Sequence, residues 1–239
     1  MSPDPGRAAR IGWVVDVQRD FMEPDGRLYV RDLGDDTDPG AASIVEALRS
    51  AVAWMKEHCA VVVYTGDWHG LDDEEIEPKA PDPDAGTYPP HCMGRSSDPA
   101  ERSGAELIAA VRPDDPLILP LGATAADAAG VAREALLSRR PVFIQKNRFD
   151  VFRGNGATEA FLSALGSELG GAMEFVVIGV ARDVCVTQAV DGMQERGYRV
   201  TAVRDATWGL GLEDERTTLA RWASRGNVVA LSELTGPVS

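Results

Sequence analysis

The strongest constraint on the fold is a repeated alternation of short β-branched runs with longer segments of helical periodicity. Such alternation is typical of βαβ units, which build a mostly parallel sheet with helices on both faces. Strand-like runs lie at 11–17, 60–65, 141–145, 174–180, 198–203 and 227–231, with a weaker run at 117–120. Helical patterns lie at 40–57, 125–139, 157–169, 184–197 and 213–225. We therefore expect one Rossmann-like, three-layer α/β/α domain over residues 1–239, with a six-stranded sheet.

Charge and composition exclude several classes of partner. The chain has 24 Lys and Arg against 38 Asp and Glu, a formal net charge of −14, whereas phosphate recognition relies on clustered Lys and Arg. We therefore expect no nucleic-acid partner. No apolar run approaches the roughly 18 residues of a transmembrane helix, and Asp16 interrupts the N-terminal run before a signal-peptide core can form. We expect a cytoplasmic protein without a membrane partner, and the sequence leaves a homo-oligomer open.

Segment 66–103 departs from the βα pattern because it carries Pro, Gly, Asp and polar residues without clear periodicity. Unstructured connections of this length inside a compact domain are usually functional or disordered. This one holds two of the three histidines and one of the three cysteines. We therefore expect a functional loop, although the sequence assigns no role to its acidic part, residues 72–84.

Residues of several chemical types follow the strands of the expected sheet. In an open parallel sheet the ligand crevice lies beyond the carboxyl ends of the strands. The residues at those ends are Asp16 after the first run, Asp67 and His69 after the second, Lys146 after 141–145, and Cys185 after 174–180. Topology alone therefore brings acids, a histidine, a lysine and a cysteine to one edge of the sheet.

Cys185 begins a helix after an apolar strand, where free N–H groups and the helix dipole favour a thiolate. Lys146 nearby would lower the pKa of the thiol, and Asp16 could take its proton and deliver it to a leaving group. These are the requirements of nucleophilic acyl chemistry. The alternatives are a buried, unreactive Cys185, a turn residue at Asp16 and a solvated strand end at Lys146.

Asp67 and His69 form a second candidate site. In an extended segment residues i and i+2 point the same way, so the two side chains could share a divalent ion, with His91 as a third ligand. Two nitrogens and one oxygen suit Zn²⁺, Mn²⁺ or Fe²⁺ with open positions for water or substrate. A simple hydrogen-bonded loop pair is the alternative interpretation.

Five segments carry a resemblance to a known family. They are VVDVQRDF (14–21), VVVYTGDWH (61–69), TYPPHCMG (87–94), VFIQK (142–146) and VVIGVARDVCV (176–186). In this order, they resemble the nicotinamidase/pyrazinamidase branch of the isochorismatase-like cysteine hydrolases. The PPHC piece is the one that points to nicotinamidases rather than to other branches.

The resemblance implies a role for each candidate residue. Cys185 would be the nucleophile, Asp16 the proton shuttle and Lys146 their cationic partner. Asp67, His69 and His91 would bind a metal ion that anchors the ring nitrogen of the substrate.

The resemblance also implies how the substrate is held. A cis peptide bond ahead of Ala181 would let the backbone amides of Ala181 and Cys185 form an oxyanion hole. Phe21 and Tyr88 would flank the substrate ring.

The expected function is a metal-assisted amidohydrolase that releases ammonia from a small carboxamide, with nicotinamide as the first substrate hypothesis. The stretch 147–152 does not follow the nicotinamidase pattern. A ureido, biuret-like or maleamate-like amide is therefore the alternative substrate. A non-catalytic ligand-binding or interaction protein on the same fold is the alternative of another class.

Overall fold

Seven parallel strands form one sheet in the computed structural model, which describes residues 8–236 without the Asp84 side chain. The strands are β1 (Ala9–Val15), β2 (Val61–Asp67), β3 (Leu117–Leu119), β4 (Val142–Lys146), β5 (Met173–Val180), β6 (Arg199–Trp208) and β7 (Asn227–Val229). Their order across the sheet is β3-β4-β2-β1-β5-β6-β7. The predicted parallel α/β fold is confirmed. The predicted strand count of six is short by one, because the weak run at 117–120 pairs with β4 as an edge strand.

Helices follow the strands at the predicted places. They are α1 (Arg19–Met22), α2 (Val45–His58), α3 (Pro99–Ser103), α4 (Ala125–Ser138), α5 (Val151–Gly154), α6 (Thr158–Leu169), α7 (Thr187–Glu195), α8 (Glu215–Ala223) and α9 (Leu231–Thr235). The five longest correspond to the five helical patterns. The four shortest have too few residues to show a period. None of the helices described is long and apolar enough to cross a membrane.

The helices cover both faces of the sheet because side chains of successive strand residues point to opposite faces. One face carries Ile11, Trp13 and Val15 of β1 and packs against α4, α6, α7 and α8. The other carries Val14 and packs chiefly against α2 and α9. This arrangement gives the predicted three layers. Helix α4 begins with a capping box, in which Thr124 and Asp127 each accept a hydrogen bond from the backbone N–H of the other.

The strand order reverses at β1, which pairs with β2 on one side and β5 on the other. The carboxyl end of such a strand is where an open α/β sheet offers a crevice. Asp67 and Lys146 are the last residues of β2 and β4, and Asp16 directly follows β1 with a φ of 50°. The fold therefore brings three of the candidate residues together at one point.

Gly179, near the end of β5, is required by the close approach of β1. Its φ is 125°, and a methyl group there would overlap the backbone of Val15, including its carbonyl oxygen. The register of β5 against β6 also shifts between Val177 and Gly179. A side chain at this position would have to displace the strand that leads into Asp16.

We expect Gly179→Ala to lower the free energy of unfolding by about 3 kcal/mol, because both its φ and the available space exclude a Cβ. Gly130→Ala is the matched control. Gly130 lies on the exposed side of α4 with no atom within 4 Å of a built Cβ, so the change should stabilise the protein by about 1 kcal/mol. Urea denaturation measures both values, and a Gly179→Ala variant as stable as the wild type would contradict the argument.

Candidate active site

Lys146 is the centre of the polar network at the carboxyl edge of the sheet. The side chain is 1% exposed. Its Nζ lies 2.9 Å from Asp16 Oδ2, donates to Asp67 Oδ1 and donates to the carbonyl oxygen of Arg148 at 3.0 Å. Burial alone would lower the pKa of Lys146, but the two carboxylates outweigh it and hold this pKa well above its ordinary value. Lys146 is therefore a fixed cation.

Cys185 lies beside this network. Its Sγ is 3.8 Å from Lys146 Nζ, and its sulfur and a carboxylate oxygen of Asp16 are within 4.8 Å of each other. The structure therefore brings together the three residues predicted as nucleophile, proton shuttle and cationic partner.

The pKa of Cys185 differs from the sequence-based expectation. Burial raises the pKa of the thiol well above its usual range, Lys146 opposes the shift, and Asp16 and Asp67 add to it. Burial also raises the pKa of Asp16. Burial therefore opposes the preformed thiolate that the helix dipole argument predicts, whereas Lys146 favours it.

A tight turn presents Cys185 to the crevice. β5 ends at Val180, the Val180–Ala181 peptide bond is cis as the resemblance implies, and a π-helical turn, Arg182–Val186, leads into α7. The carbonyl oxygen of Ala181 accepts from the N–H groups of Val184 and Val186. Ala181 and Cys185 therefore lie at the two ends of one short turn at the base of the site.

Asp67, His69 and His91 form a buried cluster next to Lys146. One ligand-type atom from each lies within 4.8 Å of the other two. Asp67 Oδ2 is 3.7 Å from His69 Nε2 and 3.8 Å from His91 Nε2. Ligands about 2.1 Å from a tetrahedral metal ion are roughly 3.4 Å apart, so a small adjustment would give metal-binding distances.

The hydrogen bonds of the two histidines use their Nδ1 atoms and leave the Nε2 atoms, which face Asp67, available to a cation. His69 Nδ1 pairs with Asp73 Oδ2 at 3.1 Å, and His91 Nδ1 pairs with the carbonyl oxygen of Pro89 at 2.7 Å. Because an acceptor faces each Nδ1, the neutral form of each imidazole would carry its proton on Nδ1 and keep the lone pair of Nε2, as in many metal sites.

The cluster also contains polar atoms that lack partners. Asp67 Oδ2 and His69 Nε2 are buried, and neither has a hydrogen-bond partner among the described residues. Buried polar atoms are normally satisfied. The donor set of one carboxylate oxygen and two imidazole nitrogens therefore fits a divalent cation.

A small cavity opens between Cys185 and the histidine cluster. Its free volume is about 20 Å³, close to the space that one water molecule requires. Most of its wall is apolar and consists of Phe21, Leu28, Val30, Tyr88, Phe149, Val184 and Leu210. The ring of Phe21 lies 5.3 Å from that of His91, and Tyr88 lies 5.6 Å from Phe149.

Gln18 is a supporting residue for which the sequence interpretation proposed no role. Its Nε2 donates to the carbonyl oxygens of Asp67 and Ala105, both at 2.8 Å, and its Oε1 accepts from the N–H of Asp67 at 2.7 Å. The side chain therefore holds the backbone of Asp67 from both sides. Its place two residues after Asp16 was the available signal, but a neutral amide suggested no chemistry.

Asp73 and Glu75 were also missed. Burial raises the pKa of Glu75 to about 7, with Asp67 adding to the shift, while its Oε1 accepts from the N–H of Phe149 at 2.9 Å. Asp73 orients His69, as described above. Both acids lie in the charged loop, where a run of carboxylates gives no indication of which one turns inward.

The protein belongs to the class of three-layer α/β proteins with a parallel sheet. Its site is centred on a buried cysteine that lies beside a lysine and an aspartate. Within this class, an isochorismatase-domain family model matches residues 121–233. This match, over somewhat less than half of the chain, agrees with the resemblance that the sequence motifs carry.

Three solved structures illustrate the similarity. Zinc-bound pyrazinamidase of Pyrococcus horikoshii is 25% identical, with a TM-score of 0.62 over 92% of this chain and 98% of that chain. N-carbamoylsarcosine amidase from Thermoplasma acidophilum is 21% identical, with a TM-score of 0.63 over 95% and 99%. Nicotinamidase/pyrazinamidase from Bacillus subtilis is 17% identical, with a TM-score of 0.63 over 92% and 99%. No curated protein sequence matches the chain significantly.

We expect Gln18→Met to lower the free energy of unfolding by about 3 kcal/mol, because it leaves buried backbone groups of Asp67 and Ala105 without partners. Gln188→Met on the exposed side of α7 is the control and should change stability by no more than about 0.5 kcal/mol. Guanidinium denaturation measures both. Equal stabilities of the two variants would show that Gln18 does not support the site.

Proposed function

We propose that the chain, as one domain over residues 1–239, is a metal-assisted cysteine amidohydrolase that converts a small carboxamide into the acid and ammonia. The observation that carries this proposal is the contact between two clusters. Lys146 joins Asp16 and Cys185 to Asp67, and Asp67 also belongs to the cluster with His69 and His91. A nucleophile and a cation-binding site thus face one cavity.

The first half of the reaction forms a thioester. The Cys185 sulfur adds to the carbonyl carbon as its proton passes to Asp16, and the π electrons of the carbonyl move onto oxygen. The backbone N–H groups of Ala181 and Cys185 stabilise this oxyanion. Collapse of the intermediate breaks the C–N bond, and Asp16 gives its proton to the departing nitrogen, which leaves as ammonia.

The second half restores the enzyme. Water adds to the thioester carbonyl while Asp16 accepts one of its protons. Collapse breaks the C–S bond, releases the carboxylic acid and returns the proton from Asp16 to the Cys185 sulfur. One water molecule is consumed for each amide. Throughout, Lys146 keeps Asp16 in place and offsets its negative charge.

Asp67, His69 and His91 would hold the divalent cation. When bound, the cation supplies a fixed positive charge and a Lewis-acid position for a ring nitrogen of the substrate. Zn²⁺, Mn²⁺ and Fe²⁺ all suit this donor set. The zinc in the P. horikoshii neighbour supports the choice of a divalent metal.

Nicotinamide is the substrate that we propose first. It combines a flat apolar ring, a ring nitrogen for the cation and a carboxamide for Cys185. The aromatic wall of Phe21, Tyr88 and Phe149 suits such a ring, and pyrazinamidase and nicotinamidase structures are among the neighbours. A ureido-type amide is the second candidate, supported by the N-carbamoylsarcosine amidase neighbour. Such a substrate has no ring nitrogen for a metal to anchor.

We expect the purified, metal-supplied wild type to release ammonia from nicotinamide. Cys185→Ala should lower kcat to the background rate, because Cys185 is the one thiol among the described residues that line the cavity. Cys59→Ala is the matched control, since burial raises the pKa of Cys59 to about 12 and this residue lies outside the cavity. A coupled ammonia assay measures the rates. If ammonia is released from a ureido amide but not from nicotinamide, the ureido amide replaces nicotinamide as the proposed substrate.

We expect one equivalent of Zn²⁺ to bind per chain. His91→Ala should weaken this binding by about 100-fold or more, because it removes one of three protein ligands. His58→Ala is the control, since His58 is exposed and its Nδ1 contacts the carbonyl oxygen of Trp54. Isothermal titration with Zn²⁺ measures both. Unchanged affinity in His91→Ala would place the metal elsewhere.

A further inference from the structure

Leu210 reaches the cavity from a loop whose neighbouring residues are exposed or half-buried. It is 4% exposed and lines the same cavity as Cys185. Its neighbours Gly211 and Leu212 are exposed, Leu212 at 45%. Leu210 therefore completes the wall of the site from a connecting loop rather than from a strand or a helix.

Asp183 holds this loop in place. Its Oδ1 accepts from the N–H of Leu210 at 2.9 Å, and its Oδ2 accepts from the N–H of Leu212 at 2.8 Å. A carboxylate that accepts two backbone N–H groups forms stronger bonds than a neutral acceptor does. Since Asp183 lies two residues before Cys185, the turn that carries the nucleophile also fixes the wall opposite it.

The loop on the other side of the cavity is tied to the same segment. The N–H of Leu33 donates to the carbonyl oxygen of Leu210 at 2.9 Å. Asp38 Oδ2 accepts from Trp208 Nε1 at 3.0 Å and from the N–H of Asp32 at 2.8 Å. These bonds join segments 28–38 and 208–213, which we call the roof, and Leu28, Val30 and Leu210 are its cavity-facing side chains.

The glycines on either side of Leu210 permit this arrangement. A methyl group on Gly211, whose φ is 77°, would overlap the Asp32 carboxylate. A Cβ on Gly209 would lie 3.1 Å from Asp183 Oδ1. The close approach of the Asp32 carboxylate therefore requires glycine at 211, and the Asp183 carboxylate leaves little room for a side chain at 209.

We propose that Leu210 is the specificity-determining residue of the site, and that Asp183 is the positioning residue that holds it. This inference rests on the proposed amidohydrolase function. The cavity is small and Leu210 forms part of its apolar wall, so the body of a substrate must fit against this side chain. Leu210 limits the body of the amide to a compact, uncharged group, because an apolar wall cannot solvate a charge. A smaller side chain at 210 should admit a larger amide.

The first test compares nicotinamide with 5-methylnicotinamide as substrates of the zinc-loaded enzyme. In Leu210→Ala the ratio of kcat/KM for the methylated over the parent amide should rise by about tenfold, the usual effect of a methyl-sized change in a pocket. Leu210→Val should give a smaller rise. Leu212→Ala, on the same loop but outside the cavity, should leave the ratio unchanged.

A second test does not depend on hydrolysis. Alkylation of Cys185 by iodoacetamide and by the larger N-phenyl iodoacetamide is followed by mass spectrometry. The rate of alkylation by the larger reagent, divided by the rate for the smaller one, should rise by about tenfold in Leu210→Ala. It should stay unchanged in Leu212→Ala. If no amide is hydrolysed, the proposed function fails while this ratio still tests the roof.

Asp183→Asn tests the positioning role through its coupling to Leu210. The substitution should raise the same alkylation ratio, because an amide oxygen holds the loop less firmly. In the double variant with Leu210→Ala, no further rise is expected, since the side chain that Asp183 positions is gone. Additive effects, or equal ratios in Leu210→Ala and Leu212→Ala, would overturn the proposal.

Discussion

The buried ammonium group of Lys146 is the constraint on which the site depends. Removing an ion from water costs several kcal/mol, and this cost is offset only by close counter-charges and hydrogen bonds. The counter-charges of Lys146 are the carboxylates of Asp16 and Asp67, and it also donates a hydrogen bond to the carbonyl oxygen of Arg148. These partners follow or end neighbouring strands. The ion pairs that make Lys146 tolerable therefore also hold the ends of β1, β2 and β4 in register.

The same network leaves a charge imbalance that explains the neighbouring histidines. Two carboxylates face one lysine, which leaves a surplus negative charge if both are ionised. Asp67 Oδ2 carries this surplus toward His69 and His91. A cation held there would balance the charge and satisfy the unpartnered oxygen of Asp67. The nucleophilic and cation-binding parts of the site are thus electrostatically dependent on each other.

Sequence patterns predicted the parts of the molecule that follow from periodicity and strand topology. The strands, the long helices and the convergence of Asp16, Asp67 and Lys146 all follow from the rule that parallel strands end at one edge. Patterns did not predict Gln18, whose role depends on three hydrogen bonds to distant backbone groups, or Leu210, an apolar residue in a polar loop. They also predicted a lowered pKa for Cys185, whereas burial raises it. The depth at which a thiol is buried cannot be read from its place at a helix N-terminus.

Two features that looked unrelated in the sequence, the acidic loop and the unusual stretch 147–152, prove to be one structural unit. Arg148 pairs with Glu74, Asn147 donates to Asp73 at 3.0 Å, and Glu75 accepts from the N–H of Phe149.

In this unit three carboxylates of the acidic loop fix the segment that places Phe149 on the wall of the cavity. Asp73 also orients His69, so the same loop supports both the cation-binding cluster and the aromatic wall. The negative charges of Asp73, Glu74 and Glu75 are therefore stabilised locally by hydrogen bonds and an ion pair that shape the pocket. A change at Asn147 or Arg148 would therefore remove a partner from a carboxylate of the acidic loop.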